Sequence, residues 1–298
     1  MERDGEFFMF IEFKNTSYVY FPKTPFEYKA LDKVNLKLLE GKMTAIIGHT
    51  GSGKSTLAQH INGLLVPSDG EVCIKDYVIT NKAKLKGIKK LRKYAGMVFQ
   101  FPEYQLFEET VYKDIAFGPK NFGVQGDELD ALVKKSLSLV GLDESYLERS
   151  PFELSGGQKR RIAIAGILAL DPEVLILDEP TAGLDPQGAI EMMELFKSLN
   201  NLGKTIIMIT HEMDFVLKYC DEVVVMKKAN VVAKTTPVQF FYNEDLLNEV
   251  TIEEPLVVSF TKELINKGIN LNIHKIKDVE SLATEIASFK QKGGANNE

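Results

Sequence analysis

Short apolar runs alternate along this chain with glycine-marked turns and amphipathic stretches. Met43-Thr44-Ala45-Ile46-Ile47, Val174-Leu175-Ile176-Leu177, Thr205 to Thr210 and Val223-Val224-Val225-Met226 are apolar almost without interruption. Such runs read as strands buried on both faces, the habit of a parallel sheet. Tyr94 to Phe99 reads as a further strand. The first forty residues behave differently. Phe8, Phe10, Ile11 and Phe13 open a strand, Lys14-Asn15-Thr16-Ser17 breaks it, and Tyr18-Val19-Tyr20 resumes. Val34, Leu36 and Leu38 alternate with polar neighbours, and Glu71 to Thr80 reads as a β-ribbon, so this part is expected to form antiparallel sheet. Residues 108–150 read as helical. Leu129, Leu132, Val133, Leu137 and Val140 recur on one side of a helix that Gly141 caps. Beyond about residue 240 the chain turns polar and helical, with Pro255 as a break and Gln291–Glu298 as a disordered tail. The pattern predicts an α/β domain over residues 1–240, with a helical insert near 101–165, and a small C-terminal domain over 241–298.

One polar interruption carries chemistry. Gly48-His49-Thr50-Gly51-Ser52-Gly53-Lys54-Ser55 fits G-x-x-x-x-G-K-[ST] and stands between a predicted strand and a predicted helix that begins at Thr56. Its glycines let backbone N–H groups curl around an anion, and the helix N-terminus adds about half a positive charge. Lys54 can reach the outer phosphates of a nucleotide such as ATP, and the Ser55 hydroxyl can hold Mg²⁺. Upstream, Tyr20 is placed to stack on an adenine ring, in preference to Tyr18; packing of both within the sheet is the alternative.

A second anion-type cluster lies about 100 residues on. Leu154-Ser155-Gly156-Gly157-Gln158 opens a basic helical start, Lys159-Arg160-Arg161. Two such clusters in one chain suggest a nucleotide clamped between two surfaces, of one chain or of two copies. The run Val174–Leu177 ends in Asp178-Glu179, where ligands sit at the carboxyl edge of open α/β sheets. Asp178 can hold Mg²⁺ directly or through water, and Glu179 can take a proton from an attacking water. His211 ends the next strand at the same edge, within reach of a γ-phosphate.

Charge and composition narrow the picture. The formal net charge of −6 argues against non-specific nucleic-acid binding. Cys73 and Cys220 have no metal-ligand spacing and read as reduced thiols. The charged start Met1-Glu2-Arg3-Asp4 is unlike a signal peptide, and no apolar run approaches a membrane span. The acid-free basic run from Lys82 to Lys93 is either a solvated face or a contact for anionic headgroups or an acidic partner. Phe101-Pro102-Glu103-Tyr104-Gln105-Leu106-Phe107 concentrates aromatics in a loop-like segment. It suggests a docking surface or packing onto the chain's own helices.

The ordered set Gly48–Ser55, Gln100, Leu154–Gln158, Val174–Glu179, Ala182–Asp185 and His211 resembles the Walker A, Q-loop, signature, Walker B, D-loop and switch-histidine motifs of an ABC transporter ATPase. The resemblance covers roughly residues 9–240. It implies a P-loop core with an antiparallel β subdomain and a helical signature subdomain. It also implies Gln100 as a ligand or sensor of Mg²⁺ and γ-phosphate, and Ser155–Gln158 and Asp185 as groups facing a second subunit's ATP. More finely, Gly48–Thr56, Phe99–Phe107 and Ser155–Gly166 are similar to energy-coupling factor (cobalt-type) transporter ATPases, and His49-Thr50 with Lys23–Glu27 to the second of their two paralogous subunits. That family implies a partner ATPase and a membrane scaffold docking at Phe101–Phe107. It further implies exchangeable substrate-binding membrane subunits for vitamins or metal ions, and a place on the cytoplasmic face of the membrane. One departure stands out. Ala229-Asn230 and Lys234-Thr235-Thr236 occupy turns where the family commonly has glycine, and Asn230 is expected to supply the left-handed residue.

Overall fold

In the computed structural model, which describes residues 9–81 and 87–294, the apolar runs form two sheets. The strands are β1 (Met9–Tyr20), β2 (Tyr28–Leu39), β3 (Met43–Ile47), β4 (Asp69–Ile74), β5 (Tyr77–Thr80), β6 (Ala95–Val98), β7 (Val174–Asp178), β8 (Thr205–Ile209), β9 (Glu222–Lys227) and β10 (Asn230–Thr235). One sheet has the order β2-β1-β4-β5 and is antiparallel. The other has the order β10-β9-β3-β8-β7-β6, parallel except for the β9–β10 hairpin at its edge.

The central strands are apolar except for the buried threonines Thr44 and Thr205 and the terminal Asp178, because each faces two cores. Ala45, Ile47, Leu175, Leu177, Ile206 and Met208 point into one buried cluster. The residues between them, Ile46, Ile176 and Ile207, point into the other. Side chains that alternate across a strand with both faces covered leave no solvent-facing position, which favours apolar residues on both faces.

The antiparallel sheet covers one face, with α1 (Lys54–Ile61) beneath it through Leu57, Ala58 and Ile61; α2 (Ile88–Tyr94) adds Leu91. Helices cover the other face. These are α3 (Val111–Asn121), α4 (Gly126–Leu139), α5 (Gly156–Leu168), α6 (Pro186–Asn201) and α7 (Met213–Tyr219). Then come α8 (Pro237–Phe241), α9 (Glu244–Val250), α10 (Leu256–Asn266) and α11 (Val279–Gly294). Phe240, Leu247, Val258 and Leu282 from this last group join the same cluster as Phe196 and Leu177.

Local expectations differ from the structure at four places. The supposed break at Lys14–Ser17 is a bulge inside one continuous β1. Asn15 takes φ 46° and the register with β2 and β4 shifts around it. Its polar residues have partners, since Asn15 N–H donates to Asn35 Oδ1 and the buried Thr16 hydroxyl donates to Glu71 O. Tyr94 closes α2 and does not open β6. In the β9–β10 hairpin the left-handed residues are Lys228 (φ 45°) and Ala229 (φ 67°), and Asn230 already belongs to β10. Positive φ at both central positions is the mark of a type I′ hairpin turn, and Asn230 lies one residue too late to be either of them. Finally, α11 runs on to Gly294, inside the supposed tail.

Lys89, Lys90, Arg92 and Lys93 are solvent-exposed on α2, while Lys82, Lys84 and Lys86 lie outside the described residues, as do the N-terminal residues 1–8. Among the described residues no helix is long and apolar enough to cross a membrane.

Phe196 is fully buried on α6 against this shared core, whereas Leu202 just past the helix is 72% exposed. Phe196→Ala is expected to cost about 3–5 kcal/mol of stability by urea denaturation. Leu202→Ser should change it by less than about 0.5 kcal/mol.

Candidate active site

The phosphate loop is shaped by close backbone contact. Gly48, Gly51 and Gly53 take φ 144°, 77° and 105°. A Cβ on Gly48 would stand 2.1 Å from Met226 O, and one on Gly53 would stand 2.3 Å from Ala30 O. No other residue type fits those two positions. Ala229 N–H donates to Ser52 O (3.1 Å), which pins the loop to the β9–β10 turn. Lys54, the first residue of α1, curls back over the loop and donates to Gly48 O (2.7 Å) and His49 O (2.9 Å). Its ammonium is buried, which lowers its pKa; the nearby Glu179 and Asp178 work against that.

The carboxyl ends of β7 and β8 deliver the acids and the imidazole. Burial pushes the Asp178 carboxyl above the usual range, against the opposing pull of the Ser55 hydroxyl and the Lys54 ammonium. Glu179 is in the left-handed region at φ 51°, a strained conformation for a residue with a Cβ, costing on the order of 1–2 kcal/mol. Its N–H donates to Ile209 O (3.0 Å), and its carboxylate meets His211 Nε2 at 2.9 Å. Burial, reinforced by Asp178, raises the Glu179 pKa, against the pull of His211.

These residues face one cavity of about 500 Å³. Thr50, Gly51, Gly53, Lys54, Ser55, Thr56, Gln100, Asp178, Glu179 and His211 all line it. Gly48 and His49 line an adjoining cavity of about 240 Å³ that also reaches Thr50 and His211, and Ser52 is buried within the loop. Tyr20 is not among the lining residues, though its hydroxyl lies 3.3 Å from Thr56 Oγ1. Tyr28 does line the cavity, its hydroxyl donating to Gly51 O. Nothing in the spacing marked Tyr28. It is the β1–β2 register, which pairs Tyr20 with Tyr28, that puts both rings at the same hairpin end.

Ser155, Gly156, Gly157, Gln158 and Asp185 do not line this cavity. Ser155 and Gln158 form a capping box at the start of α5, each side chain accepting the other's backbone N–H (3.0 and 3.4 Å). Asp185 caps α6 by accepting Gly188 N–H at 2.7 Å. His60 is buried on α1, where desolvation drops its pKa to about 4 and its Nδ1 donates to Thr56 O (2.7 Å). It is a neutral core residue.

Ser55, Asp178 and Gln100 supply one hydroxyl, one carboxylate and one amide oxygen. Hard oxygen donors, few in number, suit Mg²⁺ that keeps water and phosphate oxygens as its other ligands. Among the described residues no cluster of three or more His, Cys, Asp or Glu could hold a metal by itself.

Comparison with known proteins agrees with this geometry. The family model "ABC transporter" matches residues 31–182. The chain is 50% identical over 287 residues to the energy-coupling factor transporter ATP-binding protein EcfA2 of Enterococcus faecalis, covering 96% of this chain and 99% of that one. It is 51% identical over 283 residues to the protein of the same name from Spiroplasma kunkelii, covering 94% and 93%. The chain belongs to the energy-coupling factor ATP-binding proteins of the ABC transporter family. Among solved structures, cbiO1 of Clostridium perfringens, described as part of the ABC transporter complex cbiONQ, superposes with a TM-score of 0.71. It is 38% identical and covers 85% of this chain and 99% of that one. The cassette MJ0796, solved as a dimer after hydrolysis with ADP and Pi bound, superposes with a TM-score of 0.67 at 30% identity, covering 76% and 98%. This chain is therefore an ABC ATPase, an ATP-binding subunit of an energy-coupling factor transporter.

The raised carboxylates make a pH prediction. Asp178 in the folded chain holds its proton to higher pH than in the unfolded chain. As pH rises through the ordinary carboxylate range the unfolded state ionises first, so this group costs stability above it. Nucleotide-free Asp178→Asn is expected to unfold at higher urea than wild type at pH 7. The difference should vanish by about pH 3, where both states are protonated.

Proposed function

We propose that the cavity binds ATP with Mg²⁺ and hydrolyses it only when a second ATPase subunit closes over it. The observation that carries this reading is the split of the two anion clusters. The phosphate loop, Asp178, Glu179, His211 and Gln100 share one cavity, while Ser155–Gln158 lies outside it, free to act on an opposing subunit's nucleotide. In the proposed pair, Lys54 and the loop amides hold the β- and γ-phosphates and Tyr20 stacks on the adenine. The opposing Ser155, Gly156, Gly157 and Gln158 cap the γ-phosphate, with Asp185 beside them. Ser55, Gln100 and Asp178 would hold Mg²⁺, which supplies charge neutralisation on the phosphate oxygens. Glu179 accepts a proton from water as the water oxygen bonds to the γ-phosphorus and the bond to the leaving ADP oxygen breaks. His211 holds Glu179 and the γ-phosphate in register. A carboxylate raised by burial is a better base than one in water, because its affinity for the proton is greater.

Phe101, Tyr104 and Phe107 are 37%, 84% and 58% exposed; Tyr104 lies within the 3₁₀ turn Pro102–Gln105, and Phe101 and Phe107 stand on either side of it. These rings support a docking role for Phe101–Phe107 toward a membrane-embedded scaffold. Leu256 and Phe260 on α10 are 84% and 52% exposed, which supports a role for residues 241–294 in contact between the ATPase pair. The pair is proposed as a heterodimer at the cytoplasmic face of the membrane. Its closure drives uptake of vitamins or transition-metal ions bound by small membrane subunits.

Glu179→Gln is expected to bind ATP, to hydrolyse it at least ~10²-fold more slowly, and to accumulate as a closed dimer with ATP by size-exclusion chromatography. Wild-type turnover in this variant would remove Glu179 from the role of base. Affinity purification of the tagged chain from detergent-solubilised membranes tests the assembly. A second ATPase, one multi-span scaffold and small membrane proteins are expected. Co-purification of an extracellular solute-binding protein, or of no membrane protein, would overturn the assembly while leaving the nucleotide site in place.

A further inference from the structure

One buried guanidinium joins three functional segments. Arg160 lies on α5, two residues past Gln158, and is 2% exposed. Its Nε and Nη2 donate to the two carboxylate oxygens of Glu103 at 3.0 and 2.9 Å, a bidentate pair. Its Nη1 donates to Ala182 O (2.8 Å) and Pro180 O (3.4 Å), in the peptide that follows Glu179. Its guanidinium carbon lies 5.8 Å from the centre of the Phe101 ring. That ring in turn packs on Gly183, where an added Cβ would stand 3.2 Å from Phe101 Cε1. Between the two bound carbonyls, the Thr181 hydroxyl donates to Glu212, the neighbour of His211.

A buried charge that loses a partner is costly, so groups bound to one guanidinium move together or rearrange together. From these contacts we infer that Arg160 is a positioning residue. It transmits movement of the Glu179–Ala182 peptide and of the Ser155–Gln158 helix start to Glu103 and Phe101, and so aims the exposed aromatic segment. A lysine could not do this, because a point charge cannot hold the carboxylate and the two carbonyls in one fixed plane. The inference rests on the reading that the cavity takes ATP and that Phe101–Phe107 faces a partner. Coupling of this kind is established only by showing that one site's state alters the other.

The test uses the full-length chain and hydrogen–deuterium exchange at residues 103–108, without nucleotide and with a slowly hydrolysed ATP analogue. Affinity for a fluorescent analogue and thermal stability are measured in parallel. In wild type the analogue should change exchange in this segment by at least about threefold. In Glu103→Gln and in Arg160→Lys the change should fall below about twofold while nucleotide affinity stays within about threefold, and the double variant should be no worse than either single one. Should Glu103→Gln not fold, Glu103→Asp keeps the charge on a shorter arm and makes the same prediction. A full nucleotide response in both single variants, or additive losses in the double, would overturn the coupling role. So would a wild type that binds the analogue with no change at residues 103–108. A wild type that does not bind the analogue would instead overturn the nucleotide site itself, and this inference with it.

Discussion

The close approach of the phosphate loop to the β9–β10 hairpin is the constraint on which the site depends. Met226 O sits where a Gly48 side chain would have to go, and Ala229 N–H holds Ser52 O. Ala229 O also accepts Asp32 N–H from β2 at 2.9 Å. A single edge hairpin therefore fixes both the curl of the loop and the seat of the antiparallel sheet. A loop held this way presents its N–H groups to an anion without reorganising when the anion arrives, which is where electrostatic preorganisation gains its effect.

The cavity concentrates opposing charges in a partly dry space. Lys54 loses hydration there, and Asp178 and Glu179 lose theirs, so each relies on the others. Glu179 also carries backbone strain, kept in place by the ladder bond to Ile209 O and by His211. Strain that persists only because its surroundings over-determine it is a common property of switching sites. Here it falls on the residue that couples the ends of β7 and β8.

Much of this was legible in the residues. The buried strands, the glycine loop, the acids after Leu177 and the histidine after Thr210 follow from local composition, because a strand covered on both faces carries almost only apolar residues and charge is confined to its end. The helix start at Ser155–Gln158 was likewise a local signal; that Ser155 and Gln158 close a capping box on each other came from the structure. Other features were not legible. The polar stretch Lys14–Ser17 looked like a break because its partners, Asn35 and Glu71, are remote in sequence. Asn230 looked like the left-handed residue because propensity says nothing about where the β9–β10 pairing begins. Exposure of Phe101, Tyr104 and Phe107 required knowing which helices pass beneath them.

By itself, then, the sequence determined the kinds of groups available: a glycine loop suited to a phosphate, a hydroxyl at the start of a helix, and two acids and an imidazole at strand ends, each set there by short-range patterning. Only the tertiary structure decided which of them meet. It brought Gln100, Lys54, Glu179 and His211 to one cavity, left Ser155 and Asp185 outside it, admitted Tyr28, and placed Arg160 between Glu103 and the Ala182 carbonyl. The reason is that these meetings depend on strand order and register. Both arise from packing between segments far apart in the chain, where no local spacing carries a trace of the partner.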